Sequence, residues 1–166
     1  DMNSLQGDRI IASIMEDLGI ASKSEDGHII LSKKEAVKTF AYDFSNCPDL
    51  AQTVAVVCAA KGISAEFSGL ESLKIKETDR CKALQNELAK IGTSFSEARA
   101  GVWTLIPSDL SMNEKIRIAT YEDHRMAMAF APLACIMDIE IEDPEVVNKS
   151  YPGFWDEMRK VGFSVG

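Results

Sequence analysis

Pro48-Asp49-Leu50-Ala51-Gln52-Thr53-Val54-Ala55-Val56-Val57-Cys58-Ala59-Ala60 is apolar nearly all the way round a helical wheel. A helix without a polar face belongs in the interior of a protein. Asp49 opens the run, where a carboxylate complements the helix dipole and can satisfy a free N–H. A second run has the same character: Asp123-His124-Arg125, then Met126 to Ala131 and Leu133 to Met137. Pro132 is expected to kink it, because proline removes one backbone hydrogen bond and crowds the preceding turn. Asp49 and Asp123 are 74 positions apart.

Three other helix ends repeat with the same period. Met15-Glu16-Asp17-Leu18-Gly19, Leu88-Ala89-Lys90-Ile91-Gly92 and Met158-Arg159-Lys160-Val161-Gly162 each place apolar residues four and one before a glycine. That pattern suits a helix closed by a glycine at C′. The glycines are 73 and then 70 positions apart, so two independent landmarks argue for tandem copies of one supersecondary unit. The helices before Gly19 and Gly92 carry one-sided stripes (Ile10, Ile11, Ile14, Met15, Leu18; Cys81, Leu84, Leu88, Ile91) and should lie half exposed. Strands are expected at about 28–32, 38–43, 65–69, 73–76, 102–106, 116–120 and 138–142. The fold expected is α+β, with buried helices wrapped by outer sheets. Residues 1–166 then hold two repeats of about 73 residues and the start of a third near Phe154, Trp155 and Met158.

Composition narrows the function. The 166 residues are 46% hydrophobic and 27% charged, with 26 acidic against 18 basic residues and a net charge of −8. With no basic tract, a nucleic-acid partner is not expected. No apolar run is long enough to span a membrane, and none is expected to do so. Cys47, Cys58, Cys81 and Cys135 are scattered and read as reduced thiols of a cytoplasmic protein. Two histidines are too few for a histidine-based metal site, and no cofactor is indicated.

Against this acidic background, a few cations stand at helix starts. Lys76-Glu77-Thr78-Asp79-Arg80 puts Lys76 and Arg80 four apart and Glu77 and Arg80 three apart. A helix beginning near Lys76 would set all three on one face of its first turn; the alternative is a solvated helix start with Thr78 as N-cap and Asp79 complementing the dipole. Arg125 leads an otherwise apolar helix and must reach solvent or find an anion. Lys149 lies in a polar loop before Tyr151-Pro152-Gly153. Taken singly, Asp49 and Asp123 are ordinary capping residues, His124 a satisfied histidine and Lys149 a surface lysine. Together, Lys76, Arg80, Arg125 and Lys149 make a local positive cleft that favours a small anion over a polyanion. Asp49 and Glu77 supply carboxylates beside it, a set suited to proton transfer on a bound phosphate-bearing substrate.

Lys74-Ile75-Lys76-Glu77-Thr78-Asp79-Arg80 and Asp123-His124-Arg125-Met126-Ala127-Met128 together resemble the EPSP synthase family of enolpyruvyl transferases. Ser4-Leu5-Gln6-Gly7-Asp8, Pro48-Asp49 and Asn148-Lys149-Ser150-Tyr151-Pro152 are also similar to that family and fall in its order. The resemblance implies βαβαββ units with helices inside, and a substrate cleft between two domains. Of these the chain would be the C-terminal one, binding shikimate 3-phosphate and phosphoenolpyruvate. The family's Lys-Ser segment, its Asn-Ala-Gly-Thr loop and a phosphoenolpyruvate-gripping arginine would lie in the missing N-terminal domain of the same protein.

The resemblance also implies roles. Asp49 is the base toward the attacking shikimate hydroxyl, Lys76 touches shikimate 3-phosphate and the reaction centre, and Glu77 is the acid or base at the methylene carbon of phosphoenolpyruvate. Arg80, Arg125 and Lys149 bind phosphate and carboxylate, with His124 in support. Such proteins serve aromatic amino acid biosynthesis and are the target of glyphosate. The alternatives are the sister transferase acting on UDP-N-acetylglucosamine, or a non-catalytic anion-binding domain. The isolated chain is expected to be inactive, and Lys76→Ala or Arg80→Ala in the complete enzyme to stop turnover without unfolding it.

Overall fold

The computed structural model describes residues 5–76, 78–108 and 115–166. A 3₁₀ turn (Gly7–Ile10) leads into α1 (Ile11–Asp17), followed by a hairpin of β1 (Ile20–Glu25) and β2 (His28–Lys33). Then come β3 (Thr39–Asp43), α2 (Ala51–Lys61), β4 (Ser64–Ser68), α3 (Arg80–Lys90), β5 (Ser94–Arg99) and β6 (Val102–Ile106). The chain ends with β7 (Ile116–Ile118), α4 (His124–Phe130), β8 (Ile139–Ile141) and α5 (Phe154–Lys160).

The middle of the chain forms a four-stranded sheet in the order β3-β4-β6-β5. β3 runs parallel to β4, as a crossover through α2 requires, and β4–β6 and β6–β5 are antiparallel. This is one whole βαβαββ unit. α1 with β1–β2 repeats its second half, and β7, α4, β8 and α5 repeat its first half, with β7 and β8 again parallel. The hydrogen-bonded sheets thus divide the chain into one complete unit between two partial ones. Gly19, Gly92 and Gly162, the three landmark glycines, have φ of 92°, 80° and 102° and follow α1, α3 and α5. Each occupies the left-handed C′ position that a side chain would strain.

The core lies between the sheet and the helices. Phe67 of β4 packs edge-on to Phe44 at 5.1 Å and meets Phe95 of β5 at 6.0 Å, and Phe95 stacks on Trp103 of β6 at 4.9 Å. Against this layer lies α2, in which Ala51, Gln52, Val54, Ala55, Val56, Cys58 and Ala59 are buried. The interior helix read from the sequence is therefore interior, and α4 packs beside it. α3 buries Cys81, Leu84 and Leu88 and leaves Lys82, Asn86, Ala89 and Lys90 exposed.

Four expectations need correction. Leu73-Lys74-Ile75-Lys76 is not a strand; Glu71–Ile75 is a 3₁₀ turn. Leu70 and Leu73 are both fully buried while Ile75 is 84% exposed, so the burial follows a spacing of three rather than two. α3 starts at Arg80, capped by Asp79, whose Oδ1 accepts from the Lys82 N–H at 3.0 Å; Thr78 is not the cap. The second interior run stays α-helical only to Phe130. Pro132 has no N–H to give, so the chain tightens into a 3₁₀ turn (Ala131–Cys135), and Ala134, Cys135 and Ile136 are exposed. β1 and β5 were not expected, because each carries one large apolar residue (Ile20; Phe95). The pairing partner makes them strands: β1 is tied to β2 by a turn with positive φ at Asp26 and Gly27.

Candidate active site

Three helix starts meet at one place. Asp49 lies in the 3₁₀ turn Pro48–Leu50 that leads into α2, Arg80 is the first residue of α3, and Asp123 caps α4 by accepting from the Arg125 N–H at 2.9 Å. The parallel crossovers β3–α2–β4 and β7–α4–β8 are equivalent, so α2 and α4 present their starts on the same side. α3 begins between them.

Arg80 is the hub. Its Nε donates to Asp123 Oδ2 at 2.5 Å, its Nη2 to Asp123 Oδ1 at 3.3 Å and its Nη1 to Asp49 Oδ1 at 2.8 Å. The Arg80 and Asp123 side chains are 2% and 0% exposed. Paired buried charges of this kind are tolerated because the guanidinium fork satisfies both carboxylate oxygens. Arg125 completes the arrangement, with Nη2 at 2.9 Å from Asp49 Oδ2 and Nη1 at 3.2 Å from the Asp49 carbonyl. The Asp49 carboxylate is therefore clasped by two arginines. Lys76 Nζ stands 3.9 Å from Asp49 Oδ1.

Lys76, Arg125 and Asp49 have side chains 37%, 30% and 31% exposed and face solvent in part. His124 Nδ1 is 4.0 Å from Asp123 Oδ1 with a side chain 16% exposed. Lys149, at the end of a 3₁₀ turn (Pro144–Lys149), donates from Nζ to the Glu122 carbonyl at 3.0 Å, one residue before Asp123. Glu77 lies outside the described residues. The fold thus gathers Asp49, Lys76, Arg80, His124 and Arg125, and anchors Lys149 beside them.

Two features differ from the sequence reading. Lys76 precedes α3 in an extended conformation (φ −87°, ψ −155°) rather than sharing a helical face with Arg80. Arg80 is a buried structural cation, so its truncation would strand the Asp123 carboxylate and lower stability as well as change the cluster. Asp123 itself was read only as a cap. Its second role depends on a partner 43 residues away, and the signal available was Arg80, a cation at a helix start beside buried positions. Lys74, just ahead of Lys76, is fixed by Glu97 Oε2 at 3.0 Å and lies 5.5 Å above the Trp103 ring.

Two open grooves, of about 540 Å³ between α1 and the β1–β2 hairpin and about 380 Å³ between α5 and β8, are lined by none of the cluster's residues. No helix among the described residues is long and apolar enough to cross a membrane.

The sequence model of EPSP synthase (3-phosphoshikimate 1-carboxyvinyltransferase) matches residues 1–158. The chain belongs to the EPSP synthase family. It is 43% identical over 165 residues to a 3-phosphoshikimate 1-carboxyvinyltransferase of Bacteroides fragilis, covering 98% of this chain and 40% of that protein. A protein of the same name from Clostridium kluyveri is 35% identical over 164 residues, covering 98% of this chain and 38% of its own length. Among solved structures, EPSP synthase from Acinetobacter baumannii superposes with a TM-score of 0.69 at 19% identity, over 92% of this chain and 38% of that one. That likeness shows the enolpyruvyl transferase-like α+β fold. The chain spans about two fifths of the length of the curated EPSP synthase relatives it matches.

Proposed function

We propose that this chain is the C-terminal, anion-binding part of an enzyme that transfers the enolpyruvyl group of phosphoenolpyruvate to shikimate 3-phosphate. One observation carries the reading: a carboxylate, that of Asp49, sits between the guanidinium groups of Arg80 and Arg125, with Lys76 Nζ 3.9 Å away. A site that clasps an internal carboxylate in this way offers the donors that a substrate carboxylate or phosphate needs. The substrate anion takes the place of Asp49 on Arg125 and on Nη1 of Arg80, while Nε and Nη2 stay on Asp123. One anion replaces another, so the cations are never left unpaired.

The exchange frees Asp49 to act as a base. In the forward step it takes the proton of the attacking hydroxyl as that oxygen bonds to C2 of phosphoenolpyruvate, and Glu77 delivers a proton to the methylene carbon. Glu77 then takes a proton back from the resulting methyl group as the C–O bond to phosphate breaks, which expels phosphate from the tetrahedral intermediate and forms the enol ether of the product. Lys76, Arg125 and Lys149 hold the charge that accumulates on phosphate and carboxylate, with His124 close by. Preorganised charges of this type are each worth on the order of 3–4 kcal/mol of transition-state stabilisation. The reading places the protein in the cytoplasm, and a further domain of the same protein supplies the opposite wall of the cleft.

The test is a phosphate-release assay on the full-length protein with phosphoenolpyruvate, with and without shikimate 3-phosphate, alongside calorimetric titration of both compounds into the 166-residue chain. Phosphate release that requires both substrates, with weak or no binding by the chain alone, is expected. A full-length protein silent toward both would overturn the assignment.

A further inference from the structure

Away from the Asp49 cluster, one buried carboxylate among the described residues takes no part in the proposed chemistry. Glu87 of α3 is 1% exposed. A carboxylate so placed persists only if donors surround it, and three do. Lys90 Nζ donates to Oε2 at 2.6 Å, the Ala119 N–H to Oε2 at 3.0 Å and the Tyr121 hydroxyl to Oε1 at 2.8 Å.

Two of those donors belong to the segment that ends in Asp123. Tyr121 and Glu122 have φ of 56° and 57°, consecutive left-handed residues that are not glycine. Such a conformation persists only where the surroundings impose it. Here Glu87 holds Tyr121 by its hydroxyl, Asn86 Nδ2 donates to the same oxygen at 3.3 Å, and Lys149 Nζ takes the Glu122 carbonyl at 3.0 Å. Lys90 also donates to the Arg117 carbonyl at 2.8 Å.

Glu87 and Arg80 are seven residues apart on α3, two helical turns along one face. α3 therefore grips the segment entering α4 at two points: Arg80 at Asp123, and Glu87 at Ala119 and Tyr121. We propose that Glu87 is a positioning residue: by holding the left-handed Tyr121–Glu122 pair, it fixes where Asp123 meets Arg80 and where Arg125 meets Asp49. It acts through these residues and does not touch substrate.

The test compares Glu87→Ala and the milder Tyr121→Phe in the 166-residue chain. The readouts are thermal midpoint, amide hydrogen exchange and the Arg80 Nε–Hε resonance. Exchange at residues 121–123 should quicken by about tenfold, with little change in α2. The Arg80 resonance should move, and Glu122→Gly should restore it, because glycine adopts the left-handed conformation without a clamp. In the full-length protein, Glu87→Ala should lower kcat/KM by about tenfold or more, at temperatures where it stays folded. That kinetic arm rests on the proposed transferase function. The spectroscopic arm does not, so failure of one is distinguishable from failure of the other. An unmoved Arg80 resonance, with exchange quickened equally in α2 and at 121–123, would make Glu87 a stability residue alone and overturn the proposal.

Discussion

Arg80→Met keeps the bulk of the arginine stem and removes its charge, leaving the Asp123 carboxylate fully buried without its partner. The pair is 2% and 0% exposed, with contacts of 2.5 and 3.3 Å. Removing one member of so buried a pair costs about 3–5 kcal/mol, most of it the desolvation of the charge left behind. The lost bond to Asp49, whose side chain is 31% exposed, adds at most about 1 kcal/mol because solvent screens it. Against a total stability on the order of 5–15 kcal/mol, that is a large fraction. For a domain of this size it should lower the thermal midpoint by about 6–20 °C.

Urea unfolding followed by the fluorescence of buried Trp103 measures the loss directly. The double variant Arg80→Met/Asp123→Leu removes both charges and should recover most of it. What remains is the N-cap that Asp123 gives Arg125, about 1 kcal/mol. Lys76→Ala, at 3.9 Å from Asp49 and 37% exposed, should stay within about 0.5 kcal/mol of the parent. An Arg80→Met cost below about 1 kcal/mol, with the Asp123→Leu effect simply additive, would show that the pair is hydrated and refute the reasoning.

Two further outcomes follow from the same packing. Burial pushes the thiols of Cys58 and Cys81 up to about 12, and Cys47 is also buried and raised. A thiol reagent at neutral pH should therefore modify exposed Cys135 rapidly and the other three only on unfolding; stoichiometric labelling of more than one cysteine in the folded chain would contradict the core described. The Glu97 carboxyl is held below its ordinary value first by the Gly101 N–H and then by Lys74. Its contribution to stability is therefore present above the unfolded carboxylate pKa and is lost as pH falls through the depressed folded value. Glu97→Gln should lower the urea midpoint at about pH 6 and have less effect at about pH 3; an equal effect at both would exclude that linkage.

How much of this was legible in the sequence depended on the range of the interaction. α2 could be placed inside the protein from Ala51 to Ala60 alone, because burial on every face leaves no room for a polar stripe. The C′ glycines and their spacing pointed to a recurring unit for an equally local reason: only a few residues tolerate φ near +90°. β5 was hidden because its strand character comes from β6, and the start of α3 was misplaced because Leu70 and Leu73 draw the preceding segment into a helical turn. Asp49, Lys76, Arg80 and Arg125 were legible as charged candidates but not as one arrangement.

The sequence by itself determined that α2 is interior, that α3 has an inner and an outer face, and that glycines close α1, α3 and α5. Those follow from periodicity and capping, which act over four residues or fewer. Only the tertiary structure decided that Arg80 is buried on Asp123, 43 residues on, and that Asp49 lies between Arg80 and Arg125, 31 and 76 residues away. No local pattern encodes those distances. They exist because two equivalent crossovers and the helix between them bring three helix starts to one place, and a charge there must be paired to be buried.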